Sequence, residues 1–526
     1  NGFVTVRDTA AKSAHVAHRG AAMVHYEALG EQRLSFGPTQ GGLRRGVAVR
    51  NLLRRFGRVL RLRADTLSGE EQEKLYDLSE DVVAFDKFMS HCWNNPGWKK
   101  VLALIFDILG LHAFWAAFLA ALVVHVTQCV CSVLPKSSLV RHDTYTKLDL
   151  RVSFWEVIVG EVAALCVIFM GHLFCKSSRY FVDCASIHQT DKELKLAGIA
   201  NIPDFLRNSK ELLVLWDKEY ITRLWCVYEV AVTQVPGAAR VPIRLLPMDM
   251  YTFLAGLHAY SFVTAVQFFF MLPSVSDITT LNMSTLFACT PLLAFVAKSG
   301  GDLQRLAASM EESLGKFSTR GASIYSEDDR ALLYESIEKM YGSIDVFDAD
   351  VRTRVKQIAL ESFVQQRSLL PYWTHIAGNI HSFPLCLGMA SLYIGKPWEV
   401  LAMRYFNCIA CVFLVFPIGQ AVAMDLGRHL ARSAGDAAWD RWYFYVGIGF
   451  VASALNVISY QLVDTIPMGV AAGVLPSLGL QPWQAVPLGV VLSAPLCAAA
   501  VWLFRPKPSG PAEPAAAAAR ALLLEP

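Results

Sequence analysis

Trp225 and Glu229 are the residues whose types and spacing best support chemistry in this chain. They lie four positions apart in a stretch predicted to be helical, so they share one face and place a carboxylate beside an indole surface. A single carboxylate can stabilise the cation that develops when a glycosidic bond breaks. The structural alternative is that Glu229 hydrogen-bonds within its own fold or pairs with Arg223 or Arg179.

Ionisable residues inside apolar segments form a second group of candidates. Glu156 and Glu161 could mark a proton or ion path, because intramembrane carboxylates are expensive to bury. The structural alternative places Glu156 in the membrane interface and pairs Glu161 across a helix bundle. Six histidines in apolar segments could bind a porphyrin or conduct protons: His112, His125, His172, His258, His375 and His381. Since they show neither a pair at i, i+4 nor zinc-ligand spacing, we expect no metal site and no resident cofactor.

The stretch that carries Glu229 is a polar island, Arg179 to Asp249, between long apolar segments. Its order of short apolar strand, amphipathic helix, apolar strand and helix predicts a small parallel sheet. The strands that begin at Tyr180 and Leu213 are expected to pair side by side.

This island resembles the middle and second half of a TIR (Toll/interleukin-1 receptor) domain of the plant or protist type. The resemblance is carried by three runs: Phe181-Val-Asp183, Ser209-Lys-Glu-Leu-Leu-Val-Leu215 and, most specifically, Trp225-Cys-Val-Tyr-Glu229. It implies that Glu229 would cleave the nicotinamide-ribose bond of NAD, with Trp225 and His188 as the residues that bind this cofactor. It also implies that the loop from His188 to Lys192 could mediate self-association.

The front of the family pattern is not found where it is expected. The first strand and helix should precede Phe181, but residues 153–175 are typical of a membrane segment. The sequence therefore predicts a truncated TIR-like module whose nucleotide pocket lacks part of its wall. A binding or scaffold role is favoured over catalysis on this ground.

Composition places the chain among membrane proteins. Hydrophobic residues make up 54% of the sequence and charged residues only 18%, which is too apolar for an ordinary soluble protein of this length. A net charge of +3 with no basic, aromatic-lined groove argues against nucleic acid as a partner. The twelve cysteines lie mostly in apolar segments or the island, so free thiols are expected.

Segments of about 20 apolar residues can cross a bilayer, and eight are predicted: 101–133, 154–174, 253–272, 278–297, 370–394, 400–424, 442–463 and 485–504. Seven is the alternative count, because the fifth segment contains His375, Asn379, His381 and Pro384. The distribution of arginine and lysine predicts that the folded segments face the cytosol or an organelle interior.

The predicted fold is a mainly α-helical polytopic membrane protein with a small inserted α/β module. Its segments are a basic amphipathic arm with helices (1–97), a membrane hairpin (98–175), the TIR-like module (176–249), a second hairpin (250–298), a soluble helical segment (299–368), four further spans (369–505) and a flexible tail (506–526). The arm could place Arg44 to Arg63 on anionic lipid, or dock on the protein's own soluble face. Ser68-Gly-Glu-Glu71 predicts a capping box.

Three functions follow from these observations. The first is a multi-pass membrane scaffold, adaptor or auxiliary subunit that binds other protein chains through the TIR-like module. The second is a membrane-tethered NAD hydrolase that uses Glu229. The third is a channel or transporter regulated by the module.

Overall fold

The computed structural model describes residues 42–62, 67–131, 133–143, 148–175, 178–235, 239–275, 277–324, 327–364, 372–433 and 442–505. The chain divides into two compact units. The first, the α/β unit, comprises Asn1–Ala103, His172–Met248 and Ser309–Ala359. The second, the helical unit, comprises Leu104–Gly171, Asp249–Ala308 and Leu360–Pro526. The predicted tail 506–526 and residues 1–41 and 63–66 of the predicted arm lie outside the described residues.

The elements alternate between the two units along the chain. The strands are β1 (Arg45–Ala48), β2 (Ser79–Asp81), β3 (Lys87–His91), β4 (Val140–Asp143), β5 (Leu148–Arg151), β6 (Arg179–Phe181), β7 (Leu212–Trp216) and β8 (Ile243–Pro247). The helices are α1 (Val49–Arg61), α2 (Gly69–Tyr76), α3 (Gly97–Cys131), α4 (Trp155–Met170), α5 (Asp183–Ser186), α6 (Lys192–Ala200), α7 (Ile202–Arg207), α8 (Leu224–Thr233), α9 (Met248–Met271), α10 (Ile278–Gly315), α11 (Glu327–Tyr341), α12 (Ile344–Asp350), α13 (Lys356–Val364), α14 (Tyr372–Gly378), α15 (Ser382–Ser391), α16 (Trp398–Ala410), α17 (Phe416–Ser433), α18 (Trp442–Tyr460), α19 (Ile466–Gly469), α20 (Leu475–Ser477) and α21 (Val486–Phe504).

The sheet of the α/β unit has six strands in the order β2-β1-β6-β3-β7-β8. The four strands β6, β3, β7 and β8 are parallel, whereas β1 is antiparallel to both β2 and β6. Phe88 of β3 is in register with Phe181 of β6 on one side and with Leu212 of β7 on the other. The predicted direct pairing of the Tyr180 and Leu213 strands is therefore wrong, because β3 lies between them.

The sheet extends well beyond the predicted module at 176–249. Strands β1, β2 and β3 all precede α3 in sequence, and β3 is the central strand between β6 and β7. The chain leaves the sheet after His91, continues through α3 and α4, and returns to the sheet at Arg179. A strand that pairs in parallel with β6 is thus present, but it lies before α3 and α4 in sequence and not directly ahead of Phe181.

Strand β7 is fully buried, and a cluster of phenylalanine rings packs beside the neighbouring strands. All five residues of β7 are 3% exposed or less, as a strand covered on both faces requires. The Phe181 ring stacks on Phe88 at 4.2 Å between centroids and also contacts Phe85 and Phe205. Burial of each such side chain contributes about 1.5–3 kcal/mol. Ser68 forms the predicted capping box with Glu71 at the start of α2.

The helical unit contains segments long and apolar enough to cross a membrane. Within the described residues, seven satisfy this by length and composition: Gly97–Cys131, Trp155–Phe174, Met248–Ser274, Ile278–Gly315, Trp398–Arg432, Trp442–Gly469 and Val486–Phe504. A two-stranded antiparallel sheet, β4 with β5, lies between α3 and α4. The unit is compatible with an integral multi-pass membrane protein.

The predicted fifth span is not one continuous helix. Residues 372–391 form α14 and α15, which are separated at Asn379–His381. The start of this pair lies near the end of α21, since the Tyr372 ring contacts Phe504 at 5.0 Å. Just after α15, Leu392 and Tyr393 belong to the buried cluster that contains Leu272, directly after the end of α9.

These contacts show that α14 and α15 together traverse the helical unit. Helix α9 begins at Met248, the last residue of the α/β unit before it, so Leu272 marks the far end of that helix. The broken pair thus passes from the Phe504 end to the Leu272 end. Broken helices are tolerated at membrane depth where neighbouring protein covers the freed backbone groups.

Candidate functional site

A crevice lies at the carboxyl ends of β3 and β6 in the α/β unit. It has a volume of about 130 Å³ and is lined by Val59, Leu60, Arg61, Leu62, His91, Trp93, Asn94, Asn95, Gly97, Lys100, Val182, Asp183 and Cys184. In open sheets with parallel strands, ligands bind outside the carboxyl ends of the strands, where consecutive connections diverge. The connection after β3 leads to β6 on one side, and the connection after β6 leads to β7 on the other. The crevice therefore has the position that ligand sites of such sheets take.

Several polar side chains of the crevice lining are held by hydrogen bonds or are buried. The Trp93 indole donates a hydrogen bond to Asp183 Oδ2 at 2.5 Å, while Asp183 Oδ1 accepts from the Cys184 amide at 2.7 Å. Lys100 is 3% exposed and Asn95 is 8% exposed. The Asn95 side chain interacts with the Asp217 carboxyl group and opposes the rise that burial causes in the pKa of Asp217.

Glu229 lies on the other side of β3 and is bound to that strand. Ser90 donates a hydrogen bond to Glu229 Oε2, and the Ser90 hydroxyl also contacts the Tyr220 hydroxyl at 2.5 Å. Burial raises the pKa of Glu229 to about 8, the Ser90 hydrogen bond opposes this rise, and the negative charge of Asp183 adds to it. The carboxyl group is consequently mostly protonated at neutral pH.

Other titratable groups at this end of the sheet are also shifted by burial. Burial raises the pKa of Tyr220 and that of Cys226, and in both cases the Glu229 charge raises it further. Burial lowers the pKa of His91 to about 4, and the Lys100 charge lowers it too. Clusters of strongly shifted groups at one end of a fold are typical of functional sites.

The structure places the other predicted site residues as follows. Trp225 lies one turn before Glu229 on α8, as predicted, and its ring contacts Tyr228 edge-on at 5.9 Å. His188 lies in the loop after α5, where its ring contacts Tyr76 at 4.6 Å and its Nδ1 accepts from the Asp191 amide. The contacts described for His188 thus join this loop to α2, and not to Glu229.

The alternative partners considered for Glu229 have other contacts. Arg179 pairs with Glu80 at 2.9 Å. Arg223 forms a backbone bridge with Ser323. The partner found for Glu229, Ser90, was missed because it lies 139 residues away in sequence. The run from Phe85 to Cys92 is typical of a short strand. It could have been recognised as the neighbour of β6 only by treating residues 97–175 as an insertion.

Within the basic segment, residues 45–61 form β1 and α1 and turn most of their apolar side chains inward. Val49, Leu52, Leu53, Val59 and Leu60 are 5% exposed or less. An anionic lipid surface would therefore meet the exposed arginines, such as Arg54, Arg55 and Arg58, and the Phe56 ring, which is 39% exposed. Helix α1 is interrupted at Arg54–Gly57, where Gly57 has φ +59° and a side chain at this position would collide with Val101.

The two glutamates predicted in the second span are both paired inside the helical unit. Glu156 is fully buried and accepts hydrogen bonds from Gln128 at 2.7 Å and from Ser391. It lies in the first turn of α4, and its interfacial placement stays a prediction. Glu161 pairs across the bundle, as predicted, with His258 at 3.4 Å and His381 at 3.1 Å. Sequence spacing could not predict this grouping, because the three residues lie on separate segments.

Comparison with protein-family models, with curated proteins and with solved structures finds no match for this chain. Fold and site alone therefore define its class. It is an α/β unit with a crevice at the carboxyl edge of a mostly parallel sheet, joined to a helical unit compatible with an integral multi-pass membrane protein. All twelve cysteines are free, as the sequence predicted.

Proposed function

We propose that this chain is a membrane-anchored, TIR-like NAD hydrolase whose α/β unit binds the dinucleotide at the carboxyl edge of its sheet. The observation that carries the proposal is the hydrogen bond from Ser90 on β3 to Glu229 on α8. It joins the predicted catalytic residue to the strand that the sequence had seemed to lack. This strand supports the proposal, because the sequence predicted that this part of the pocket wall would be missing.

The parallel strand order supports the TIR-like assignment. Numbered along the chain, the parallel strands β3, β6, β7 and β8 are the first to the fourth, and their spatial order is second, first, third, fourth. This is the start of the doubly wound order 2-1-3-4-5, which binds nucleotides beside its first strand. The inserted hairpin leaves this order unchanged, because β3 and β6 still pair in parallel.

The chemistry of the crevice suits part of a dinucleotide. Lys100 offers a cation for phosphate, Asp183 offers a carboxylate for sugar hydroxyls, and Trp93 offers an aromatic surface. A volume of about 130 Å³ is below the 300–1,000 Å³ typical of pockets for drug-sized ligands. The crevice would therefore enclose one sugar-containing half of the molecule, and the other half would extend out of it.

Glu229 would act on the bond between nicotinamide and ribose. When this bond breaks, its electron pair stays on the nicotinamide nitrogen, so the positively charged ring departs as a neutral molecule. The cationic ribosyl carbon is stabilised by the Glu229 carboxylate and captured by water, whose proton passes through Glu229 to solvent. The positive charge of the nicotinamide ring, held beside Glu229, would favour the ionised carboxylate that this step needs.

Nicotinamide release from NAD by the full chain in mild detergent tests the proposal. We expect measurable turnover that falls at least 100-fold in Glu229→Gln, consistent with the loss of electrostatic stabilisation. Glu219→Gln is the matched control, because Glu219 is an exposed carboxylate ten residues away in the same segment and should change little. No turnover by the unmodified chain, or equal turnover in Glu229→Gln, would refute the hydrolase.

A second pair of variants separates binding from chemistry. Lys100→Met should raise KM for NAD roughly 10-fold or more through the loss of a charge-assisted contact, while Lys99→Met, at the neighbouring position outside the crevice lining, should not. If both lysine variants keep the unmodified KM, NAD does not bind in this crevice.

The scaffold or adaptor function remains the second candidate. It is supported by the position of Glu229, whose carboxyl group is hydrogen-bonded to Ser90 and is absent from the crevice lining. An adaptor would bind other chains through the α/β unit without turnover. Reproducible, stoichiometric copurification of a specific chain in mild detergent, together with no nicotinamide release, would favour this function.

A further inference from the structure

Three side chains from separate segments of the helical unit converge on one point. Glu161 lies on α4, His258 on α9, and His381 directly before α15. Their candidate ligand atoms all lie within 4.8 Å of one another. This is the one such group of three among the residues that the structure describes.

The cluster is buried and its ring nitrogens lack hydrogen-bond partners. His258 is 7% exposed and His381 is 1% exposed. Neither ring nitrogen of either histidine has a hydrogen-bond partner in the protein, and Glu161 Oε2 has none either. Buried polar atoms in such numbers are rare unless water or an ion satisfies them.

The distances agree with those between ligands of one metal ion. The His258 Nε2 atom is 3.4 Å from Glu161 Oε1, and the His381 Nε2 atom is 3.1 Å from Glu161 Oε2. Nitrogen and oxygen ligands lie about 2.0–2.2 Å from zinc, so a tetrahedral arrangement separates neighbouring ligands by roughly 3.4 Å. The two imidazole rings also face each other obliquely, with centroids 4.8 Å apart.

Hydrogen bonds between the three side chains alone do not explain why their ring nitrogens lack partners. Glu161 approaches both Nε2 atoms, yet neither approach has the geometry of a hydrogen bond. A neutral cluster with one protonated histidine would need both rings to donate to Glu161, and the observed approaches do not have that geometry. A cation accepts electron pairs from all three groups at once and leaves both histidines neutral.

A small cavity beside His381 provides space for a further ligand. It has a volume of about 60 Å³ and a mainly apolar lining, which includes the polar residues Ser261, Asn379, Ser382 and Gln420. A water molecule needs about 10–15 Å³ of such space, so one or more waters fit beside the cluster. The site would thus have three protein ligands and an open position.

We propose that Glu161, His258 and His381 bind a first-row divalent transition metal ion. Two histidines with one carboxylate and an open position are the ligand set of His₂Glu zinc sites and of the facial triad of non-haem iron. The ion would fasten α4 and α9 to the segment before α15. The sequence predicted no metal, because the three ligands lie on separate segments and show no ligand spacing that could be recognised in the sequence.

Metal content of the purified full chain in detergent tests the proposal, with Zn²⁺, Fe²⁺ and Co²⁺ as the added ions. We expect about one ion bound per chain after reconstitution and, with Co²⁺, visible absorption bands typical of nitrogen and oxygen ligands. Glu161→Gln, His258→Gln and His381→Gln should each weaken binding at least about 10-fold. His375→Gln is the matched control, since His375 is an equally buried histidine of the helical unit outside the cluster.

Two outcomes would overturn the proposal. One is that the unmodified chain takes up none of the three ions in stoichiometric amount and shows no Co²⁺ bands. The other is that the cluster variants bind the ion as tightly as the His375→Gln control. Because the first outcome is measured on the unmodified chain, misfolding of a variant does not remove the test.

Discussion

The environment of Glu229 combines a neighbour that is close in sequence with a partner that is distant in sequence. Its place on a helix beside Trp225 follows from spacing alone, whereas its bond to Ser90 depends on a strand placed beyond an inserted hairpin. Its environment also sets its proton affinity, because burial opposes the charged form. A residue of this kind affects both the stability and the chemistry of the unit.

The stability of the chain should depend on pH through Glu229. The pKa of this group rises from 4.5 to about 8 on folding, so the folded state binds the proton more tightly than the unfolded state. The resulting stability is fully present below about pH 4.5 and is lost as the pH rises through about 8. Each pKa unit of difference between the folded and unfolded states corresponds to about 1.4 kcal/mol in the free energy of unfolding. At pH 9, Glu229→Gln should therefore be more stable than the unmodified chain by up to a few kcal/mol.

Thermal unfolding in detergent, measured from pH 5 to pH 9, checks this expectation. The melting temperature of Glu229→Gln should exceed that of the unmodified chain at pH 9, and the two should converge towards pH 5. Glu219→Gln should follow the unmodified chain throughout. A constant difference between Glu229→Gln and the unmodified chain across this range would mean that the carboxyl does not titrate as described.

Elements defined by neighbouring residues could be predicted from the sequence, and elements defined by distant ones could not. Strands β6 and β7, helix α8 and the capping box at Ser68 follow from local apolar periodicity and caps. Strand β3 was missed because its partners lie beyond α3 and α4. In the same way, Glu161 was predicted to pair across the bundle, but nothing in the sequence indicated His258 and His381 as its partners.

A buried ion pair links elements of the helical unit and gives a test at this scale. Arg404 of α16 binds Asp464, which lies between α18 and α19, and both are 5% exposed or less. Arg404 also donates to the Tyr393 hydroxyl at 2.7 Å. Asp464→Asn would leave the guanidinium without its counter-charge and should destabilise the unit by about 3–5 kcal/mol.

The melting temperature in detergent measures this loss. Asp302→Asn is the control, because Asp302 pairs with Lys298 and Arg305 at exposed positions, where such pairs contribute about 0–1 kcal/mol. Similar melting temperatures for the two variants would show that the Arg404 pair is not buried as described.

The chain alternates between its two units, and this order shows which end of each helical segment is next to the α/β unit in sequence. Residues of the α/β unit precede α3, follow α4, precede α9 and follow α10. We predict that the broken pair α14 and α15 also crosses the membrane, which would make eight passages with the seven long segments of the described residues. An even number of passages returns the chain to the side from which it started.

We therefore expect Arg505 to lie on the same side of the membrane as the α/β unit. A reporter tag after Arg505 and a second tag inserted within residues 236–238 should show the same accessibility to a membrane-impermeant reagent in sealed vesicles. If the tags are labelled from opposite sides, α14 and α15 do not cross and the count of passages is seven.

The pH dependence of nicotinamide release from NAD tests the central claim most directly, because it examines the Ser90-bound carboxyl in the act of catalysis. We predict that kcat/KM rises with pH, approaches a plateau above about pH 8 as Glu229 ionises, and is lost in Glu229→Gln at every pH. A kcat/KM that stays constant or falls between pH 6 and pH 9, or a profile that Glu229→Gln leaves unchanged, would contradict the assignment of this residue.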